Sequence, residues 1–493
     1  MFDRSAGILL PISSLPSNYG IGTFGKAAYE FVDFLKKSRQ KYWQILPIGP
    51  ISYGDSPYSP FSVFAGNPYY VDLDILIDEG LLSKDELTSL DFLNHTVDID
   101  YENQFNIRYK ILKKVYDNSK KIYGKEIKDY IKDNNWVYDY ALFMSLKYKN
   151  NQLPWNEWNC LESGLDKNTM DSAKAELNGD IDFWVFLQYL FHKQYFNLKK
   201  YANRNGIKII GDIPIYAAED SADVWADNNI FLMNENRIPI KVAGVPPDAF
   251  SKEGQLWGNP VYNWDYLKGT NYKWWLDRIE YSFKLYDVVR IDHFRGFDEF
   301  WAINYGAKNA VDGLWMQAYG REFFESVRLK FSDVKIIAED LGIITDSVME
   351  LKNSFGFPGM KIFQFAFDGN KNNPYLPNNY EENSVAYSGT HDNDTLLGWF
   401  EKLSYERKCD VLKFLGIEKA EGNINYKIIK SIYMSKSKLC IIPLQDFLCI
   451  GSEGRINTPS TVGENWIWRV KKDSLTDLLA ETINSMVIRS KRL

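Results

Sequence analysis

Residues 286–297 read Tyr286-Asp-Val-Val-Arg-Ile-Asp-His-Phe-Arg-Gly-Phe297, and the reading of this stretch decides the fold. Val288, Val289 and Ile291 are β-branched and suit a buried strand, which Gly296 ends. Alternate side chains of a strand share a face. Arg290 and Asp292 therefore point one way, and Val289, Ile291 and His293 the other until the strand frays. A charged pair inside a parallel barrel is costly unless it sits at the open C-terminal end of the strands, where barrel enzymes keep their chemistry. Taken alone, the stretch is also compatible with a buried ion pair at a strand end.

Outward from it the same pattern recurs. The short apolar runs Ile8–Ile12, Tyr42–Ile48 and Ile207–Pro214 precede it, and Val334–Asp340, Met360–Phe367, Ser384–Asp392 and Leu439–Asp446 follow. Helical patterns separate most of them. Tyr29, Val32, Phe34 and Leu35 mark one from Ala27 to Ser38, a wide aromatic face from Phe183 to Phe196 marks another, and a third runs from Tyr272 to Leu285. Eight strands alternating with helices predict an α/β fold, a (β/α)8 TIM barrel, as a single catalytic domain over residues 1–493. Such a barrel takes roughly 250 residues, so large insertions are expected. Residues 49–72, rich in Gly, Pro, Ser, Tyr and Asp, read as a substrate loop. Residues 73–179 read as a mostly helical inserted subdomain, and residues 216–270 as a loop insertion after the third strand. Within that last insertion, Pro246 to Trp257 is the expected lid and acceptor platform.

Composition narrows the function. The 15 Trp and 32 Tyr exceed what packing alone requires, and aromatic faces are natural platforms for sugars or bases. With 58 basic against 65 acidic residues the net charge is -7, which argues against nucleic acid. Cys160, Cys409, Cys440 and Cys449 lack disulfide or metal-ligand spacing and read as reduced, mostly buried thiols. The N-terminus has no signal-peptide pattern and no stretch is apolar enough to span a bilayer, so the expectation is a soluble cytoplasmic protein without a membrane partner.

Three expected strands end in a carboxylate: Asp292 on the fourth, Glu339 on the fifth and Asp392 on the seventh. Retaining glycoside chemistry needs two such groups, a nucleophile and a proton donor about 5 Å apart. Arg290 stabilises the charge of Asp292, while that negative charge raises the pKa of Glu339 and keeps its proton available. Asp292 is thus the expected nucleophile and Glu339 the acid/base, with Asp392 holding ring hydroxyls and favouring an oxocarbenium-like transition state. His293 and His391 each adjoin an aspartate and could suggest a metal, but they lack a third histidine nearby and better suit hydrogen bonds to sugar hydroxyls. Asp212, at the end of the third strand, is either a turn residue or a support for the site. Trp257 beside Gly258 reads as a stacking platform, and Tyr58 could serve the site or the core.

Several segments together closely resemble glycoside hydrolase family 77, the 4-α-glucanotransferases or amylomaltases. They are Asp287 to Phe297, Ala338-Glu-Asp-Leu-Gly342, Gly389-Thr-His-Asp-Asn-Asp-Thr395, Gly244-Val-Pro-Pro-Asp248 and Gly254-Gln-Leu-Trp-Gly-Asn-Pro260. The resemblance runs from Gly7 to Arg469 and includes Gln445-Asp446, Asn457 and Asn465-Trp-Ile-Trp-Arg469. It implies an amylase-like barrel without the C-terminal β-domain, and retaining transfer of an α-1,4-glucan segment to the 4-hydroxyl of an acceptor glucan or glucose. No cofactor and no metal are implied. The implied catalytic residues are Asp292, Glu339 and Asp392. The implied substrate-site residues are Tyr58, Asp212, Trp257, Arg290, His293 and His391, with Asn457 beside a departure, Ser460, where the family pattern expects Gly. A hydrolase with the same carboxylates, a non-catalytic glucan-binding barrel and a metal-dependent barrel enzyme are the competing readings.

Overall fold

The computed structural model describes residues 2–52, 54–95, 97–119, 122–247, 251–419 and 423–493. Its strands in chain order are β1 Ser5–Leu9, β2 Tyr42–Gln44, β3 Lys208–Ile213, β4 Lys241–Val245, β5 Gln255–Pro260, β6 Val288–Ile291, β7 Glu299–Asn304, β8 Gly313–Gln317, β9 Ile336–Ala338, β10 Gly359–Ile362, β11 Ser384–Tyr387 and β12 Leu439–Pro443. Eight of these form one sheet in the order β10-β11-β12-β1-β2-β3-β6-β9. Every ladder in it is parallel. The Ala338 amide donates to the Pro358 carbonyl at 3.0 Å, which brings β9 against the start of β10 and nearly closes the cylinder. This is the expected (β/α)8 barrel, built from the eight apolar runs read in the sequence. After β12 the described residues carry loops, the short helix Leu444–Leu448 and the helix Asp477–Arg489, with no C-terminal β-domain among them.

The surrounding helices form because their apolar residues fall on one stripe. Lys26–Lys37 buries Ala28, Phe31, Val32, Phe34 and Leu35 between β1 and β2. Asn178–Arg204 buries an aromatic face from Phe183 to Tyr195 and leads into β3, and the Tyr195 hydroxyl donates to the Leu285 carbonyl at 2.8 Å. Helices including Tyr109–Ser119, Gly124–Asp133, Val137–Lys149 and Lys167–Glu176 fill the 73–179 stretch.

The described part of residues 49–72 is largely irregular, with a short 3-10 turn Pro68–Tyr70, but well anchored. The Val63 amide donates to Asp223, and the Gly66 amide and carbonyl bond both ends of the Gln188 amide. These bonds satisfy backbone groups that a loop over the barrel would otherwise leave unpaired.

Three expectations are corrected. The 216–270 stretch is not all loop: β4 and β5 lie in it and join β7 and β8 in an antiparallel sheet of order β5-β4-β7-β8. Glycines and prolines in β4 and β5 hide their strand character, and β4 pairs with β7 some sixty positions away. Trp257 therefore sits on a strand; Asp248, at the heart of the expected lid, lies outside the described residues. The seventh barrel strand ends at Tyr387 rather than at Asp392, because the Asn393 side chain accepts from the Thr390 amide at 2.8 Å and turns the chain into a loop. Finally, all four cysteines are free, but only Cys440 is buried and Cys160 and Cys409 are exposed.

Candidate active site

β6 carries Arg290 into the barrel opposite Asp212 of β3, with which it is paired in register. Its Nη1 donates to both Asp212 oxygens at 2.7 Å and to Asp292 Oδ1 at 3.0 Å. Its Nε faces the Met360 sulfur at 3.4 Å. The Tyr58 hydroxyl reaches from the 49–72 loop to donate to Asp212 Oδ2 at 2.9 Å, and its ring stacks on His391 with centroids 4.8 Å apart. The Tyr58 oxygen and His391 Nδ1 are 3.2 Å apart, and His391 Nε2 lies 3.2 Å from Asp392 Oδ2. Asn457 completes the chain by donating to Asp392 Oδ1 at 2.6 Å.

Exposure divides this network in two. The side chains of Arg290, Asp212 and His391 are at most 4% exposed, whereas Asp292 is 30% and Asp392 46% exposed. The two outermost carboxylates can meet a ligand, and the buried groups behind them can only orient and charge them. A fully buried ion pair adds little net stability, but removing one partner leaves an unpaired buried charge, so Arg290 and Asp212 hold one another in place.

Glu339 is the first residue beyond β9. The strand ends touch, since the Glu339 amide donates to the Ile291 carbonyl at 3.1 Å and the Phe294 amide to the Glu339 carbonyl at 3.1 Å. Its carboxylate accepts from the His293 amide at 2.7 Å and from the Leu341 amide at 2.8 Å. Burial, with the Asp292 charge added to it, pushes Glu339 up to about 7, against the opposing pull of Arg290 and the two amides. At neutral pH this carboxyl is poised to give or take a proton. Asp392 is its opposite: burial would raise it, but the His391 charge and hydrogen bond, the Asn457 amide and Arg290 outweigh that and hold it at about 2. His391 is correspondingly raised against burial by Asp392.

His293 adopts φ 51°, a left-handed conformation that costs a residue with a Cβ of order 1 kcal/mol and is found at functional sites. This break in alternation turns its amide toward Glu339 and its ring edge-on to Trp257, centroids 4.7 Å apart. Burial lowers the imidazole to about 4, so it is neutral at pH 7. The two histidine rings face different partners, Trp257 for one and Tyr58 with Asp392 for the other.

Every site residue named from the sequence thus falls into one connected group. Sequence reasoning missed Arg455, whose Nη2 donates to the Asp392 carbonyl at 2.7 Å and whose Nε donates to the Asn457 carbonyl at 2.8 Å. It also left Trp466 unassigned, a ring 5.8 Å from Tyr58 and 5.9 Å from His391 that backs the stack. Ser460, which stands where the family pattern has Gly, has φ 63°, a left-handed conformation that glycine adopts more readily, and Asn457 nonetheless reaches Asp392.

The sequence model of glycoside hydrolase family 77, described as 4-alpha-glucanotransferase, matches residues 10–476. A 4-alpha-glucanotransferase of Clostridium butyricum is 52% identical over 476 residues, covering 96% of this chain and 97% of that one. A 4-alpha-glucanotransferase of Streptococcus pneumoniae is 41% identical over 496 residues, covering 100% and 98%. Among solved structures, an amylomaltase from Streptococcus agalactiae in complex with acarbose superimposes with TM-score 0.97 at 40% identity, covering 99% of each chain.

Proposed function

Since this chain belongs to the 4-α-glucanotransferases of glycoside hydrolase family 77, we propose that Asp292 is its nucleophile, Glu339 its acid/base and Asp392 the carboxylate that favours the transition state. The enzyme is a 4-α-glucanotransferase and acts on glucans. In the proposed first half-reaction an Asp292 oxygen attacks C1 of the donor sugar as the bond from C1 to the leaving O4 breaks, and the Glu339 proton passes to that oxygen. The product is a glycosyl ester on Asp292 and a shortened chain ending in a free 4-hydroxyl. In the second half, the 4-hydroxyl of an acceptor glucan or glucose attacks C1, its proton goes to Glu339, and the Asp292 carboxylate is released.

The observation that carries this reading is the division of labour between adjacent strand ends. Asp292 is ion-paired to Arg290, while Glu339 beside it is raised to about 7. Asp392, held at about 2, keeps a negative charge where positive charge develops on the ring. Asp212 and Arg290 hold the nucleophile, and Tyr58, His391 and Asn457 hold Asp392. His293 and Trp257 offer a neutral donor and an aromatic wall to the sugar, a fitting pair for ring hydroxyls and C–H faces. Transfer rather than hydrolysis requires bound acceptor to outcompete water through orientation and exclusion.

Incubation with maltotriose alone, resolved by chain length, is the test. A ladder of longer oligomers with glucose is expected; only glucose and maltose would make the enzyme a hydrolase. Asp292→Asn is expected to lower turnover by about 10³-fold or more, and undiminished turnover would remove Asp292 from the nucleophile role.

A further inference from the structure

Asp392 differs from Asp292 and Glu339 in lacking a strand to fix it, since β11 ends at Tyr387 and the chain runs as a loop until the helix Leu396–Lys402. Both ends of that loop converge on one buried carboxylate. The Ser388 hydroxyl donates to Asp446 Oδ2 at 2.5 Å, and the Leu396 amide donates to Asp446 Oδ1 at 2.7 Å. Asp446 is only 1% exposed and stands on the short helix Leu444–Leu448 that follows β12. Its own carbonyl is held by the Asn425 side chain at 2.9 Å, so the clamp is anchored to the scaffold rather than floating with the loop.

The neighbouring residue repeats the arrangement for the second loop. Gln445 Nε2 donates to the Gly454 carbonyl at 3.2 Å, immediately before Arg455, which grips the backbone of both Asp392 and Asn457. The pair 445–446 therefore sits behind the two loops whose side chains meet in the Asn457 to Asp392 bond. Burying a carboxylate without a cation is expensive, and burial pushes Asp446 up to about 6, so this is a demanding way merely to close a turn. What a carboxylate offers is two acceptors at a fixed separation, matched to a hydroxyl at one loop end and an amide at the other.

We propose that Asp446 is a positioning residue: its two oxygens fix both ends of the Ser388 to Leu396 loop and thereby set the Asp392 carboxylate against the reacting sugar. The proposal rests on the assignment of Asp392 above. Asp446→Asn can keep both bonds, with its amide oxygen accepting from Leu396 N and its NH2 donating to Ser388 Oγ, a hydroxyl able to accept. Asp446→Ala loses both.

The experiment measures kcat and KM for maltotriose disproportionation in Asp446→Ala, Asp446→Asn, Asp392→Asn and the Asp446→Ala/Asp392→Asn double variant. Asp446→Ala is expected to lower kcat by about 100-fold, as misplacement by about 1 Å does, with KM moved less than about threefold. Asp446→Asn should recover kcat to within about fivefold of the parent. In the Asp392→Asn background the further loss from Asp446→Ala should shrink to less than about threefold, because the group being positioned is gone. An undiminished loss in that background, an effect on KM alone, or an unaltered kcat would overturn the proposal. If Asp446→Ala does not fold, Ser388→Ala breaks one bond of the clamp and should lower kcat by about tenfold; an unaltered kcat there would equally overturn it. Parent-like turnover in Asp392→Asn would instead strike at the role of Asp392, a separate result.

Discussion

Glu339 is the residue whose charge state matters most to the account. The first half-reaction needs it protonated, and it loses its proton as pH rises through about 7. Thus kcat/KM for a glucan donor should fall on the alkaline side with an apparent pKa near that value, a limb absent from Glu339→Gln, whose residual rate stays flat across it. A pH profile from about pH 5 to 9 measures this, and a flat parent profile would deny Glu339 the acid role. Asp292 and Glu339 were legible in the sequence because each directly follows an apolar run, Asp392 because it lies a short loop beyond one, and Arg290 because it shares a strand face with Asp292. Arg455 was not, since it grips backbone carbonyls and so depends on no recognisable partner residue. The clamp at Asp446 was hidden for a similar reason: its partners, a hydroxyl and an amide, lie some fifty positions away.

Among elements, β3 shows how tightly the barrel constrains sequence. Gly211 precedes Asp212, and a Cβ placed there would lie 2.2 Å from the ring of Tyr286, itself 4% exposed. Gly211→Ala should therefore destabilise the protein by about 1–3 kcal/mol through overpacking, seen as a lower denaturant midpoint with an unchanged slope. An unaltered midpoint would mean that Tyr286 yields freely. Barrel strands of this kind are readable because both faces are buried, giving continuous apolar runs such as Ile209 and Ile210 or Val288 and Val289. The antiparallel sheet follows another rule. β5 contains Gly258 and Pro260, and the ladder of β4 with β5 shifts register between Val242 and Gly244, so neither alternation nor a tight turn announces it. Its pairing with β7 is set by tertiary contact, which local pattern cannot report. Placing Trp257 on that sheet, rather than on a free loop, gives the aromatic wall beside His293 a fixed support.

For the whole molecule, the barrel brings together groups separated by as many as 399 positions, from Tyr58 to Asn457, and Arg108 and Asp223 hold the backbone of the loop from which Tyr58 reaches inward. Three points of this assembly converge on one place: the accessible Asp292, the protonatable Glu339 and the Asp392 charge held by its loops. In the proposed reaction a donor glucan becomes an ester on Asp292 with Glu339 supplying the proton. Its most direct test uses Glu339→Gln with an α-maltosyl donor whose leaving group departs without protonation, such as fluoride. Without a general base the second half-reaction slows, so the ester accumulates and can be located by proteolysis and peptide mass spectrometry. One maltosyl adduct is expected, on the peptide containing Asp292 and fragmenting at that residue. An adduct on Asp392 or on another side chain, or turnover of this donor with Asp292 never modified, would contradict it.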